Sequence, residues 1–304
     1  MLAFVFPGQG AQHAGMGKEL NDNFSVAREL FEEANDALGF DLAKMCFEGP
    51  EEDLKLTANT QPAILTMSVA ALRVLEQETE LRANFVAGHS LGEYSALVAS
   101  GTMAFADAVR VVRQRGTFMQ QAVPVGEGAM AAILGVEADL LEEICVEAAG
   151  DQIVSPANFN SPGQIVIAGH TAAVERAIAL AKEKGAKKAM PLPVSAPFHC
   201  ALMTPAGEQL AEVLDSITLA PMNIPVVTNV EATANSDNAR VKSLLVTQVS
   251  APVRWDASVR YMVEQGVERF IEIGPGKVLC GLIKRIERRM PVANIENLAS
   301  LKAL

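Results

Sequence analysis

One serine and one histidine stand where a chain could carry out acyl chemistry. Ser90 lies in Gly88-His89-Ser90-Leu91-Gly92, a G-x-S-x-G pattern between the short apolar run "FVAG" and a helix-forming run that begins near Leu91. A strand-to-helix elbow of this kind lifts a serine oxygen clear of a sheet and sets it at a helix N-terminus. The turn is tight, so its flanking residues must be small, which accounts for Gly88 and Gly92. Five residues with three fixed also fit a glycine-rich β-α turn with an inert serine.

A serine hydroxyl needs a base. The chain has four histidines: His13, His89, His170 and His199. His89 adjoins Ser90, but neighbours on a tight turn point apart, so it is read as structural. His13 belongs to the first glycine loop and at most lines a site. His170 ends "IVIAGH" and is read as a helix-capping or core residue. His199, in "VSAPFHCAL", follows a strand, precedes a helix and is approached through Pro197, so position favours it as the base. No aspartate or glutamate is marked to orient it. A backbone or amide carbonyl is therefore expected in that role.

An arginine adds a third feature. The helical run Phe105–Val123 buries an arc of Phe105, Ala108, Val109, Val112, Gly116, Met119 and Val123. At 100° per residue, Arg110 and Arg113 project about 160° and 100° from Val112, whereas Arg115 projects only about 60° away, on the flank of the arc. A guanidinium keeps its proton, so burying it requires an anionic partner. Two arrangements fit: a packed stem with its head in water, or a bidentate pair with a substrate carboxylate.

The elements that must position these residues alternate. The strand "LAFVF" runs into "PGQGAQHAGMG", whose glycines leave amides free for a ligand. Helical patterns follow in "FSVARELFEEANDAL" and "TQPAILTMSVAALRVLEQE", the second with Thr60 expected as N-cap and Pro62 in its first turn. After "FVAG", the elbow and two helices, the texture changes. Residues 126–194 read β-α-β-β-α-β, the split arrangement of ferredoxin-like domains, and form an expected insert. The main domain is then discontinuous, 1–125 and 195–304. It resumes with the helix "ALMTPAGEQLAEVL" and the strands "IPVVTNV" and "ERFIEIGPG", and ends in the expected closing helix "KVLCGLIKRIERR".

Bulk properties narrow the function classes. A chain of 304 residues, half of them apolar, supports one large domain with an insert, or two domains. The net charge of −11 argues against nucleic acid as a partner. Four scattered cysteines, none in a C-x-x-C pair, resemble neither a zinc site nor a disulfide framework, and suit a reducing cytoplasm. "MLAFVFPGQG" is expected to be a buried strand rather than a signal peptide. No run of about 18 apolar residues exists to span a membrane.

The stretches "FVFPGQGAQ", "TQPA", "AGHSLGEYSAL", "DAVRVVRQRGTFMQ", "ANFNSPGQIVIAG", "PLPVSAPFHCALM" and "EIGPGKVL", co-linear from Leu2 to Leu279, carry a resemblance. The chain resembles the malonyl-CoA:acyl carrier protein transacylases of fatty acid synthesis, and more broadly the acyltransferase domains of polyketide synthases. The resemblance implies an α/β-hydrolase-like core with a parallel sheet and an inserted, smaller ferredoxin-like α+β subdomain. It implies transfer of malonyl from malonyl-CoA to the phosphopantetheine thiol of acyl carrier protein, with no metal or redox cofactor. Ser90 is then the nucleophile and His199 its base, oriented by the backbone carbonyl of Gln248. The amides of Gln9 and Leu91 form the oxyanion hole. Arg115 holds the malonyl carboxylate, and Met119 and Phe198 line the acyl pocket. Leu91 and Phe198 make that pocket small, which favours malonyl over methylmalonyl. Gln61, Asn158 and Asn160 receive no definite role beyond wall and turn residues.

Rival readings are a serine esterase or thioesterase on the same core, in which water attacks, and a non-catalytic acyl-binding module. A buried Arg115 separates the first from a transferase, since a generic esterase needs no cation facing its acyl group. Carrier proteins are acidic, as this chain is, so contact requires segregated charge. Two basic runs are available: Lys182, Lys184, Lys187 and Lys188 in the insert, and Lys284, Arg285, Arg288 and Arg289 after "LCGLI". Lys187 and Lys188 begin the strand that leads to His199. Lys187, Lys188, Lys284 and Arg285 are therefore the expected docking residues.

Overall fold

The first strand accounts for the layering. Along Leu2–Phe6, Phe4 and Phe6 join one hydrophobic core, while Ala3 and Val5 join another, because successive side chains point to opposite faces. Both faces are buried, as they are in a parallel sheet whose crossover helices cover it on both sides. The computed structural model describes residues 1–194 and 196–304. Its strands are β1 (Leu2–Phe6), β2 (Phe85–Gly88), β3 (Gly128–Leu134), β4 (Val154–Ser161), β5 (Gln164–His170), β6 (Lys188–Pro191), β7 (Val226–Val227), β8 (Ala234–Asn235), β9 (Arg269–Ile273) and β10 (Val292–Ile295).

Six of these strands form the main sheet, in the order β10-β9-β1-β2-β7-β8, with every neighbouring pair parallel except β7 and β8. The chain proceeds from β1 to β2 on one side and reaches β9 on the other. The divergence opens a crevice beyond the carboxyl end of β1, the usual ligand position in such sheets. The Gly8–Gln9 loop follows β1, and the Ser90 elbow follows β2, with Phe6 and Gly88 in register.

The helix Thr57–Glu78 is buried along most of its length. It starts four residues earlier than an N-cap at Thr60 predicts, and the N-cap is Leu56. The Leu56 carbonyl accepts the N–H groups of Asn59 and Thr60, while Thr60 Oγ1 donates to Leu54 O at 2.6 Å. Pro62 therefore sits inside the helix. The helix Phe105–Gln121 packs closely across it. A Cβ at Gly116 would lie 2.7 Å from the Thr57 carbonyl oxygen and 2.8 Å from Ala58 Cα, so only glycine permits the approach that brings Arg115 to the first helix.

The remaining four strands form a separate antiparallel sheet, ordered β4-β5-β3-β6. With the helices Ala138–Ala149 and Thr171–Glu183 they give β-α-β-β-α-β connectivity, the ferredoxin-like arrangement. Side chains again divide by alternation. Ala131, Ile133, Ile165 and Ile167 pack under these two helices, whereas Met130, Val166 and Ala168 join the core of the main body. Backbone bonds from Val253 N to Ala157 O and from Phe159 N to Val253 O, both 2.9 Å, stitch β4 to the main body. The expected junction at 194/195 falls on Ser195, which lies outside the described residues.

The end of the chain differs from the sequence reading. The helix Val278–Ile286 does not close the fold. It leads to edge strand β10 and the short helix Leu298–Lys302. An edge strand with a single fully buried residue shows little alternation, which is why "VANI" was not legible as a strand. Among the described residues, no helix is long and apolar enough to cross a membrane.

Candidate active site

The elbow is strained, and its neighbours hold it. Ser90 has φ of 51° and His199 has φ of 60°, two of the three non-glycine residues with positive φ among those described. Such backbone costs of order 1–3 kcal/mol and persists only where its surroundings over-determine it. At Gly88 a Cβ would collide with the Gly92 carbonyl, and at Gly92 with Phe6 O, so this close turn admits no side chain at either position. The Ser90 N–H donates to Asn229 Oδ1 at 2.7 Å, and Asn229 Nδ2 donates to Gly88 O at 2.6 Å. Gln248 Nε2 donates to Ser90 O at 3.1 Å.

Ser90 Oγ and His199 Nε2 are 2.7 Å apart, although the residues are 109 positions apart in the chain. On the far side of the ring, Nδ1 lies 2.8 Å from the Gln248 backbone carbonyl. A carbonyl only accepts, so Nδ1 carries the proton and Nε2 is left with a free lone pair for the serine proton. Burial, and then the nearby Arg115 cation, push the His199 pKa down to about 3, which keeps the ring neutral.

Arg115 is 1 % exposed, so its head does not reach water. Its Nη1 donates to Gln61 Oε1 at 2.8 Å, and its Nη2 donates to Gln248 Oε1 at 3.0 Å and to Ser90 Oγ at 3.2 Å. The Tyr94 ring centroid lies 5.5 Å from its Cζ. Among the described residues, no carboxylate forms a salt bridge with it, and its buried Nε has no hydrogen-bond partner. Arg115 lines the cavity with no carboxylate bonded to it, and a buried cation in that setting is suited to pairing with an anion from outside.

That cavity measures about 270 Å³. Gln9, Ser90, Leu91, Arg115, Met119, Phe198 and His199 all line it, as do Gln61, Asn158 and Asn160. Gln248 stands behind His199, outside the lining. Among the described residues, the Gln9 and Leu91 amides donate to no other backbone group across the loops, whereas the Ser90 amide is taken by Asn229. Gln61 Nε2 also reaches Met119 Sδ at 3.8 Å. Met130 and Val166 of the small sheet, with Leu192 and Val194 just beyond β6, supply an apolar wall.

The other histidines are dispersed. His13 is exposed and is not among the residues that line the cavity. His89 Nε2 lies 2.8 Å from Asn160 Oδ1, and its ring packs against Trp255, so it ties the elbow to β4. His170 Nδ1 accepts the Ile153 N–H at 3.0 Å, and its side chain does not cap the helix that follows.

Among the described residues of the basic runs, only Arg285 is bonded to a residue of the cavity lining, Gln164. Lys188 is in register with Leu134, and Leu134 with Gln164, whose Oε1 accepts a hydrogen bond from Arg285. Lys187, Lys188, Lys284 and Arg285 are exposed, and Gln164 lines the cavity. The strand itself begins at Lys188, one residue later than the sequence suggests.

Two site residues escaped the sequence reading. Asn229 follows the two-residue strand β7, too short to show a period. Glu93 is 2 % exposed and accepts from Asn229 N at 3.0 Å and Gln248 Nε2 at 2.8 Å. A lone carboxylate in the apolar helix "GEYSALVA" was the available signal. Burial raises its pKa to about 7, opposed by those two hydrogen bonds and by Arg115.

Comparison with known proteins places this geometry in a family. The model described as acyl transferase domain matches residues 3–301. A malonyl CoA-acyl carrier protein transacylase from Salmonella typhimurium is 52 % identical over 302 residues, covering 99 % of this chain and 98 % of that protein. The crystal structure of an acyl carrier protein S-malonyltransferase from Vibrio cholerae superposes with a TM-score of 0.97 at 50 % identity, covering 99 % of both chains. A malonyl-transacylase solved in complex with its type II polyketide acyl carrier protein has a TM-score of 0.97 at 48 % identity, covering 99 % of this chain and 98 % of that one.

Proposed function

This chain belongs to the acyl transferase domain family, and we propose that it moves a malonyl group from malonyl-CoA to the phosphopantetheine thiol of acyl carrier protein, in fatty acid synthesis. The observation that carries this reading is Arg115, a fully buried cation beside the serine on the cavity wall, with no carboxylate bonded to it. An acyl group ending in a carboxylate supplies the missing charge.

The residues divide the work as follows. Ser90 Oγ attacks the thioester carbonyl while His199 Nε2 takes its proton, and Gln248 O keeps the opposite ring nitrogen protonated. The new oxyanion accepts N–H bonds from Gln9 and Leu91. Losing one such donor typically costs about 10²–10³ in rate. The C–S bond then breaks, and the CoA sulfur leaves with the proton held by His199, giving a malonyl ester on Ser90. In the second half the carrier thiol gives its proton to His199 and attacks the ester, and the proton returns to Ser90 Oγ. Arg115 fixes the acyl carboxylate throughout, with Met119 and Phe198 against the methylene. A narrow cavity with a held ester admits a thiol on a long arm and gives water no aligned position, which sets a transferase apart from an esterase.

We read 126–194 as an insert in a catalytic domain of 1–125 and 195–304. Lys187, Lys188, Lys284 and Arg285, exposed at the start of β6 and on the helix Val278–Ile286, are its docking residues for the acidic carrier protein. Four buried free cysteines suit a cytoplasmic setting. Incubation with malonyl-CoA followed by intact mass tests the reading. A single stable malonyl adduct, discharged by carrier protein, supports a transferase. Turnover to free malonate makes it a hydrolase, and no adduct makes it a binding module.

A further inference from the structure

The mechanism above uses Ser90, His199, Arg115 and the Gln248 backbone, and leaves Glu93 and the Gln248 side chain without a part. Both are buried, and they bond to one another. Glu93 Oε2 accepts two donors at once, Asn229 N at 3.0 Å and Gln248 Nε2 at 2.8 Å. Each donor leads back to the reacting groups. Asn229 Oδ1 takes the Ser90 N–H. Gln248 Oε1 takes Arg115 Nη2 at 3.0 Å.

A side-chain amide has two ends of nearly the same shape, one donating and one accepting. If Gln248 turned its amide over, its NH₂ would face the Arg115 guanidinium, donor against donor, between two buried side chains. Of the contacts to the Gln248 amide, those to its nitrogen from Glu93 Oε2 and the Ser90 carbonyl both demand a donor there. The Ser90 carbonyl contact is longer, at 3.1 Å, and a third acceptor, Asn229 Oδ1, lies at 3.5 Å, so Glu93 makes the shortest of the three.

We propose that Glu93 is a positioning residue for the acyl-carboxylate clamp: by accepting from Gln248 Nε2 it orients the Gln248 amide so that Oε1 holds Arg115 toward the acyl group. Glu93 touches no substrate, and selectivity for a carboxylate-bearing acyl group nevertheless depends on it. The inference rests on the malonyl-transfer reading given above. It concerns orientation rather than charge. A glutamine at position 93 keeps one oxygen for both donors. Its NH₂ then faces the small cavity that Glu93 shares with Thr228, whose buried Oγ1 lacks a partner and is free to accept.

The test measures Ser90 acylation by malonyl-CoA and by acetyl-CoA, and reads their ratio. For Glu93→Leu we expect the malonyl-to-acetyl ratio to fall by about tenfold or more, the scale of one hydrogen bond to a charged group. Any loss common to both acyl groups reports the Asn229 arm and leaves the ratio untouched. Glu93→Gln should keep the ratio within about threefold of the parent chain, because the acceptor is retained. Gln248→Leu keeps its backbone carbonyl for His199 and removes only the amide. It should lower the ratio as Glu93→Leu does, and the double variant should lower it no further, since both cut one path. This second site also carries the test if Glu93→Leu fails to fold. An unchanged ratio in a folded Glu93→Leu or Gln248→Leu protein overturns the inference. So do multiplying effects in the double variant, or a Glu93→Gln ratio as low as that of Glu93→Leu. A parent chain that acylates equally with malonyl and acetyl overturns the malonyl reading itself, and the inference with it.

Discussion

The two sheets of this molecule handle polar groups in opposite ways. The main sheet buries them: Glu93, Arg115, His199, Asn229 and Gln248 are all at most 3 % exposed and bonded into one network at the carboxyl ends of β1 and β2. The small sheet places apolar side chains under its own helices and offers the cavity Met130 and Val166, with Asn158 and Asn160 at the edge. Its charges stay in solvent. A parallel sheet covered on both faces is rigid and dry, so a charge held there is strongly felt and reorganises little. An antiparallel sheet with one helical face can present its other face as a wall. The buried polar network therefore sits on the first, and part of the cavity's apolar wall comes from the second.

The largest effect should come from the centre of the main sheet. Ser90→Ala should abolish adduct formation from malonyl-CoA, as read by intact mass, with the unfolding midpoint little changed. Acylation at the parental rate would mean a different nucleophile. Next, Arg115→Ala should slow malonyl transfer tens- to hundreds-fold, from the loss of about 1.5–3 kcal/mol of charge-assisted bonding, and admit acetyl weakly. Unchanged selectivity between the two would remove Arg115 as the clamp.

The exposed basic residues should matter in only one half of the reaction. Reversing Lys187, Lys188, Lys284 and Arg285 to Glu should slow transfer to carrier protein, chiefly through association, and largely spare self-acylation. The parental second half-reaction should also slow as salt is added, since the attraction is screened. Equal slowing of both halves, or no salt response, would place docking elsewhere.

The smallest effect concerns pH. The folded His199 pKa of about 3 lies below its ordinary 6.5. Between these values the unfolded chain binds the extra proton and the folded chain does not, so the stability tied to neutral His199 is present above about 6.5 and fades as pH falls toward 3. Acylation should accordingly show no loss of its base near the ordinary histidine pKa. Single-turnover rates across that range check this, and a limb near 6.5 that vanished in no variant but one at His199 would contradict the burial argument.

Local pattern and tertiary structure contributed differently to what is legible. The elbow, the ferredoxin-like order of residues 126–194 and the flank position of Arg115 all follow from short spacings, because a tight turn demands glycines and a helix repeats every 3.6 residues. The same logic failed where the local signal was weak or displaced. β7 has two residues, β10 is an edge strand, and the Leu56 carbonyl starts its helix before Thr60.

By itself, then, the sequence determined which residue types were available and on which face each would lie: a serine on a turn, an arginine on an apolar arc, a histidine after a proline. Only the tertiary structure decided that His199 Nε2 meets Ser90 Oγ across 109 residues, that a backbone carbonyl replaces the missing acid, and that Glu93 closes the circuit through Gln248. Spacing encodes direction within one element. Distances between elements are set by how side chains pack, down to the single glycine at 116 that lets two helices touch.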